Sequence, residues 1–174
     1  TPCGTLFPYT TLFRSSGTAE GDSIVAARFP EATYRDLTIS NVRFHRCGFS
    51  RACFETVLFR ECSFSLCFFD FARFSGTHFS DCSLSYSVFA AAALEECSFE
   101  GSNLPLCNFN GIEARNTSFA DTDLEDSRFI NARLHQISFQ NANCSRTFFQ
   151  FIVSEEVSFR YTNVEDAYFD EWRR

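Results

Sequence analysis

The residues with most capacity for chemistry are the nine cysteines. Cys47 and Cys67 stand twenty residues apart, and so do Cys62 and Cys82. Four convergent thiolates would hold a tetrahedral Zn²⁺, and oxidised pairs would form disulfides. No C-x-x-C spacing is present, so either chemistry depends wholly on how the fold places these residues. The competing reading is that cysteine serves as a small hydrophobe. It alternates with Ala, Ser, Thr and Val at every fifth position of the run Val42, Cys47, Ala52, Val57, Cys62, Cys67, Ala72, Thr77, Cys82, Ser87, Ala92, Cys97. Free cysteine is among the most buried residue types. The interchange with plain packing residues favours buried, reduced cysteines without metal. His45, His78 and His135 offer further ligands or bases, and Ser and Asp are plentiful. A catalytic triad nevertheless requires a concave site where nucleophile, base and orienting group meet.

What positions these residues is a period of five. Phe44, Phe49, Phe54, Phe59, Phe64, Phe69, Phe74 and Phe79 follow one another without a slip. The same register runs back to Ile24, Phe29, Tyr34 and Ile39, and forward to Phe169. An α-helix would smear such a stripe around its circumference, and a flat strand alternates with period two. The chain must therefore bend at regular intervals. Two residues before each central position lies the small set quoted above, and the other three places in each five are mostly polar. From Phe79 onward the central residue alternates between Phe and Leu or something smaller. Large facing small fills a narrow interior at close-packed density.

Cys97-Ser98-Phe99-Glu100-Gly101 and Thr122-Asp123-Leu124-Glu125-Asp126 match a loose motif of a small residue, any residue, Leu or Phe, then two polar residues. The chain thus resembles the pentapeptide-repeat family over residues 22–170. The resemblance implies an all-β fold, a right-handed quadrilateral β-helix with four pentapeptides per coil and between seven and eight coils. At ~4.8 Å per coil the rod is on the order of 35 Å long. Ala114, Cys144 and Ser154 depart from the motif at central positions, which predicts softer packing there. On this lattice the cysteine pairs stack on adjacent walls and the histidines fall on different walls. A filled rod offers no catalytic cleft, so no enzyme activity, no cofactor and no metal site are expected.

Charge narrows the partners. The formal net charge is −7, and all fifteen basic residues are arginine, so no lysine-rich footprint for nucleic acid exists. No apolar run approaches the ~18 residues of a membrane span. Thr5 to Ser15 resemble a translated sequencing adapter. Residues 1–15 are therefore set aside as non-native, with 16–21 as a linker or cap remnant and 171–174 as a C-terminal remnant. The absence of Met and the repeat still running near Trp172 predict that native termini are missing, which leaves secretion open beside a cytoplasmic location.

Surface columns advance by twenty residues. They gather Leu66, Phe68, Phe71, Tyr86, Val88 and Leu106 into one outward apolar patch, with Phe148 and Phe151 on the same wall. Soluble monomers seldom keep such a patch without a reason. Glu55, Glu95, Glu96, Glu155 and Glu156 share another wall with Arg115 and His135 between them, a solvated face. The leading expectation is a bacterial scaffold or protein-interaction module that binds a protein partner or a second copy through the apolar face. The resemblance implies an alternative, a DNA mimic that binds DNA gyrase in fluoroquinolone resistance, and a secreted effector is a third.

Overall fold

The computed structural model describes residues 18–20 and 23–170. Each five-residue unit is a short extended segment closed by a corner. The corner residue, two places after the central one, lies in the left-handed region throughout, from Ala26 at φ 54° to Asp166 at 54°. Four corners return the chain to its starting azimuth, so each residue sits beside the one twenty positions later. Phe54 pairs with Phe74, Phe44 with Phe64 and Leu134 with Ser154, all in parallel register. Among the described residues every element is a strand, bridge or turn, and there is no helix.

The four walls can be named by their central residues. Face 1 carries Phe44, Phe64, Leu84, Leu104, Leu124 and Cys144. Face 2 carries Phe from Phe29 to Phe169. Face 3 carries Tyr34, Phe54, Phe74, Leu94, Ala114 and Leu134. Face 4 carries Ile39 and then Phe from Phe59 to Phe159. Among the described residues, faces 3 and 4 share a nine-stranded sheet that includes Thr33–Ser40, Cys53–Arg60 and Glu113–Ser118. Face 1 holds a three-stranded sheet of Ser23–Val25, Arg43–His45 and Ser63–Ser65. Face 2 is stitched mainly by single bridges such as Phe68↔Val88 and Val88↔Asn108. Thr18–Glu20 already pairs with Thr38–Ser40, so the ladder includes residues within the stretch read as a linker or cap remnant.

The expected core is present. Phe89 and Phe109 stack at 5.0 Å, and Phe109 meets Phe119 of the opposite wall edge-on at 5.5 Å and 80°. Over the two coils from Phe44 to Phe79 all four walls are aromatic, and Phe44, Phe49, Phe54 and Phe59 meet corner to corner at 5.6, 5.9 and 5.9 Å. Once Leu replaces Phe on faces 1 and 3, the two remaining Phe columns reach each other across the axis. Ala114 and Cys144 are buried like their neighbours, whereas Ser154, Val164 and Phe169 on the last described coil are exposed.

The small inward position accepts Ser and Thr beside Cys and Ala because a backbone carbonyl lies within reach, most often that of the residue twenty-three places earlier. Ser127 donates to the Leu104 carbonyl at 2.7 Å, Ser102 to Phe79 at 2.9 Å, and Cys107 to Leu84 at 2.9 Å. The same oxygen also accepts, as when the Cys107 N–H donates to Ser127 Oγ at 3.0 Å. No buried side-chain nitrogen or oxygen among the described residues lacks a partner. A buried hydroxyl thus meets the requirement that buried polar groups be paired.

Candidate functional site

The thiols and histidines form no reactive centre among the described residues. The lattice cysteines are buried and unpaired by disulfides. Burial pushes the Cys97 thiol up to about 11 and those of Cys107 and Cys144 up to about 12. In the stacked pairs, the hydrogen bond that each donates to the neighbouring sulfur, together with burial, holds Cys67 and Cys82 well above the ordinary thiol range, and the same bond lowers the accepting Cys47 and Cys62. Cys53 differs, since it points outward on face 3 and is half-buried. No three His, Cys, Asp or Glu side chains among the described residues converge as metal ligands. His135 instead contacts Glu155 at 3.1 Å on face 3, where Arg35 and Glu55 also pair at 2.7 Å. That face carries a shallow groove of about 530 Å³ lined by Glu55, Arg73, Glu95, Glu113 and Arg115, in which opposite charges offset one another.

The remaining feature is face 2. Its order across the wall is fixed by the repeat: one corner, the small inward residue, an outward residue, the central Phe, a second outward residue, the next corner. Alternate backbone groups bond to the coils on either side, as Phe68 N–H to the Cys47 carbonyl at 2.9 Å and Phe69 N–H to the Val88 carbonyl at 2.7 Å. This holds the outward side chains in vertical columns. On three successive coils Leu66, Phe68, Phe71, Tyr86 and Leu106 stand 36%, 46%, 56%, 54% and 42% exposed. Val88 is half-buried between them. Phe148 and Phe151 lie on the same wall but are set apart by the coil carrying Asp126, Arg128 and Asn131. There Arg128 covers the Phe148 ring at 5.6 Å and Phe148 stacks on Tyr168 at 4.5 Å. The six-residue cluster is therefore one patch and the Phe148/Phe151 pair a second.

Two properties of the patch were not visible in the sequence reading. Leu66, Phe71, Tyr86 and Leu106 are corner residues with φ of 57°, 56°, 60° and 60°. Of the other twenty-five described corners, twelve hold Asn, Asp or Gly, which tolerate the left-handed region best, and only Phe151 and Tyr161 are comparably bulky and apolar. A bulky side chain there is disfavoured by sterics and, exposed, recovers little burial. The other property is a flat centre: Ala90 and Ala91 join Val88 between the large side chains. Arg51 lies over the Phe71 ring at 5.7 Å and marks the edge. The positive-φ cost could have been read from the corner register, had the corner conformation been assigned.

Comparison with known proteins bears on the fold. The profile described as a pentapeptide repeat region matches residues 92–169, and that described as pentapeptide repeats in eight copies matches residues 72–111. A search of curated proteins finds no match. Among solved structures, a pentapeptide repeat protein from the Arabidopsis thaliana thylakoid lumen is similar at 14% identity with a TM-score of 0.51, covering 54% of this chain and 66% of that one. A trypsin-treated form of QnrB1, a plasmid-mediated fluoroquinolone resistance protein, aligns at 16% identity over 90% of this chain and 94% of its own, with a TM-score of 0.47. HetL, involved in heterocyst differentiation regulation in the cyanobacterium Nostoc sp. strain PCC 7120, aligns at 10% identity over 92% and 91%, with a TM-score of 0.41. With the five-residue register, the twenty-residue parallel coil and both profiles in agreement, the chain belongs to the pentapeptide-repeat family.

Proposed function

We propose that the protein is a non-enzymatic bacterial interaction module, acting in the cytoplasm, whose binding surface is the face 2 patch of Leu66, Phe68, Phe71, Tyr86, Val88 and Leu106. The observation that carries this reading is the placement of bulky apolar residues at exposed left-handed corners, where they cost stability twice over. Binding a partner offsets that cost. The shallow relief of the rod, with its interior filled by stacked rings, weighs against catalysis.

The DNA-mimic alternative finds less support. A phosphate-like track needs uninterrupted negative charge. Here Arg146 holds both Glu125 and Asp126, and Arg35 holds Glu55, so the acid columns are interrupted and partly neutralised.

The test is capture from a bacterial extract by the wild-type chain, by Phe68→Ser/Val88→Ser, and by Ser98→Asp on the opposite wall. The expected result is a defined complex lost only in the face 2 variant. Retention by that variant, or equal loss with Ser98→Asp, overturns the assignment of the face. Inhibition of gyrase supercoiling by the wild type, unchanged by the face 2 substitutions, would favour the mimic.

A further inference from the structure

We infer that the occupant of this face is a second copy of the chain, docked face to face and antiparallel, with the two-fold axis crossing the coil of Tyr86 to Ala91. The inference rests on the reading of face 2 as an interaction surface and adds its partner and geometry.

The columns decide the arrangement. A two-fold axis lying in the interface and perpendicular to the rod keeps each column facing its own counterpart while reversing the order of coils. Centred on Tyr86, Val88, Ala90 and Ala91, it sets these four against themselves. The three short side chains form a level strip that permits close approach. One coil away, Phe71 meets the column position of Gly111 of the second copy, a corner at φ 68° that presents no side chain. Leu66 meets Leu106, and Phe68 meets Asn108.

Two coils from the axis, large again meets small. A depression of about 380 Å³ is lined by Arg28, Arg46, Gly48, Ser50, Phe68 and Asp70 and deepened by the missing side chain of Gly48, beside which the Arg28 stem lies. Facing it are Asp126, Arg128 and Ile130 of the second copy. Asp126 comes opposite Arg46, Arg128 opposite Gly48 with Asp70 near, and Ile130 opposite Ser50. At the corner charge agrees with shape, whereas Arg128 enters a depression in which Asp70 must offset Arg28. Glu125 and Asp126 share the single guanidinium of Arg146, which leaves one negative charge for Arg46 of the facing copy.

The parallel alternative, with the axis along the rod, swaps the two corner columns. It would put Arg46 against Arg51, Phe68 against Asp70 and Tyr86 against Ala91. A like-charge pair and a ring set on a carboxylate disfavour it. The overlap covers about five coils, roughly 20 Å of rod at ~4.8 Å per coil, below the area of a permanent dimer. A concentration-dependent dimer follows.

The experiment is crosslinking with a short bismaleimide in the full chain carrying Cys3→Ser and Cys53→Ser, the buried thiols being protected by the core. Ala90→Cys on the axis should crosslink to itself. Ser50→Cys alone should not, yet mixed with Ile130→Cys it should yield a crosslinked heterodimer. Ala90→Arg should weaken sedimentation-detected dimerisation by at least ~10-fold without altering the melting curve. Self-crosslinking of Ser50→Cys without the Ile130 product would overturn the antiparallel geometry. A wild type that sediments as a monomer across the concentration series would overturn the second copy as occupant, while loss of a captured partner on Phe68→Ser/Val88→Ser would leave the interaction face standing.

Discussion

The ring of Phe99 lies parallel to that of Phe119 on the next coil, with 4.9 Å between centroids and 2° between planes. Phe99 also rests on Phe79 at 4.7 Å and meets Phe89 edge-on at 5.9 Å, so one side chain joins three coils. Phe99→Ala should therefore cost on the order of 3–5 kcal/mol, because stacked rings on either side cannot collapse into the cavity. Thermal unfolding measures this, and an unchanged melting temperature would remove Phe99 from the core.

Ser127 both donates to the Leu104 carbonyl and accepts from the Cys107 N–H. Ser127→Ala strands a buried amide, at a cost of about 1–3 kcal/mol. Ser127→Thr should recover most of it, since Thr147 donates to the Leu124 carbonyl from the same column at 2.8 Å. Equal stability of the Ala and Thr variants in denaturant titration would show that the bond contributes nothing net.

Buried thiols predict a pH dependence at the alkaline end. Cys107 and Cys144 are held neutral in the fold up to about 12, while an unfolded thiol ionises near 9. The folded pKa is raised, so the stabilisation is complete below pH 9 and declines as pH climbs from 9 toward 12. Native thiols should react slowly with a disulfide reagent at pH 8 and completely after denaturation. In a Cys3→Ser variant, rapid native reaction at more than the Cys53 site would contradict this.

The strained corners make the least intuitive prediction. Leu66→Asn and Phe71→Gly replace bulky residues at φ 57° and 56° by residues suited to that region. Each should leave the fold as stable or raise it by up to ~1 kcal/mol, while association through face 2 falls. Loss of both stability and association together would mean these side chains brace the rod instead of serving the surface.

Much of this protein is legible in one dimension. The Phe register from Phe44 to Phe79 and the small residues two places earlier fix which side chains are internal, because a coil of constant length leaves the chain no freedom to slip. Even the patch of Leu66, Phe68 and Tyr86 follows, since a twenty-residue advance turns sequence spacing into columns. Other features arise only when coils stack. That Ser127 could be buried at no loss depended on a carbonyl twenty-three residues away. That Glu125 and Asp126 share one arginine depended on the reach of Arg146 from the next coil. The backbone cost at Leu66 and Phe71 appeared only with the corner dihedral, because a sequence pattern records which way a residue points but not the conformation that points it there. Periodicity determined the inside of the rod, and the contacts between coils decided which parts of its outside are strained, neutral or open to a partner.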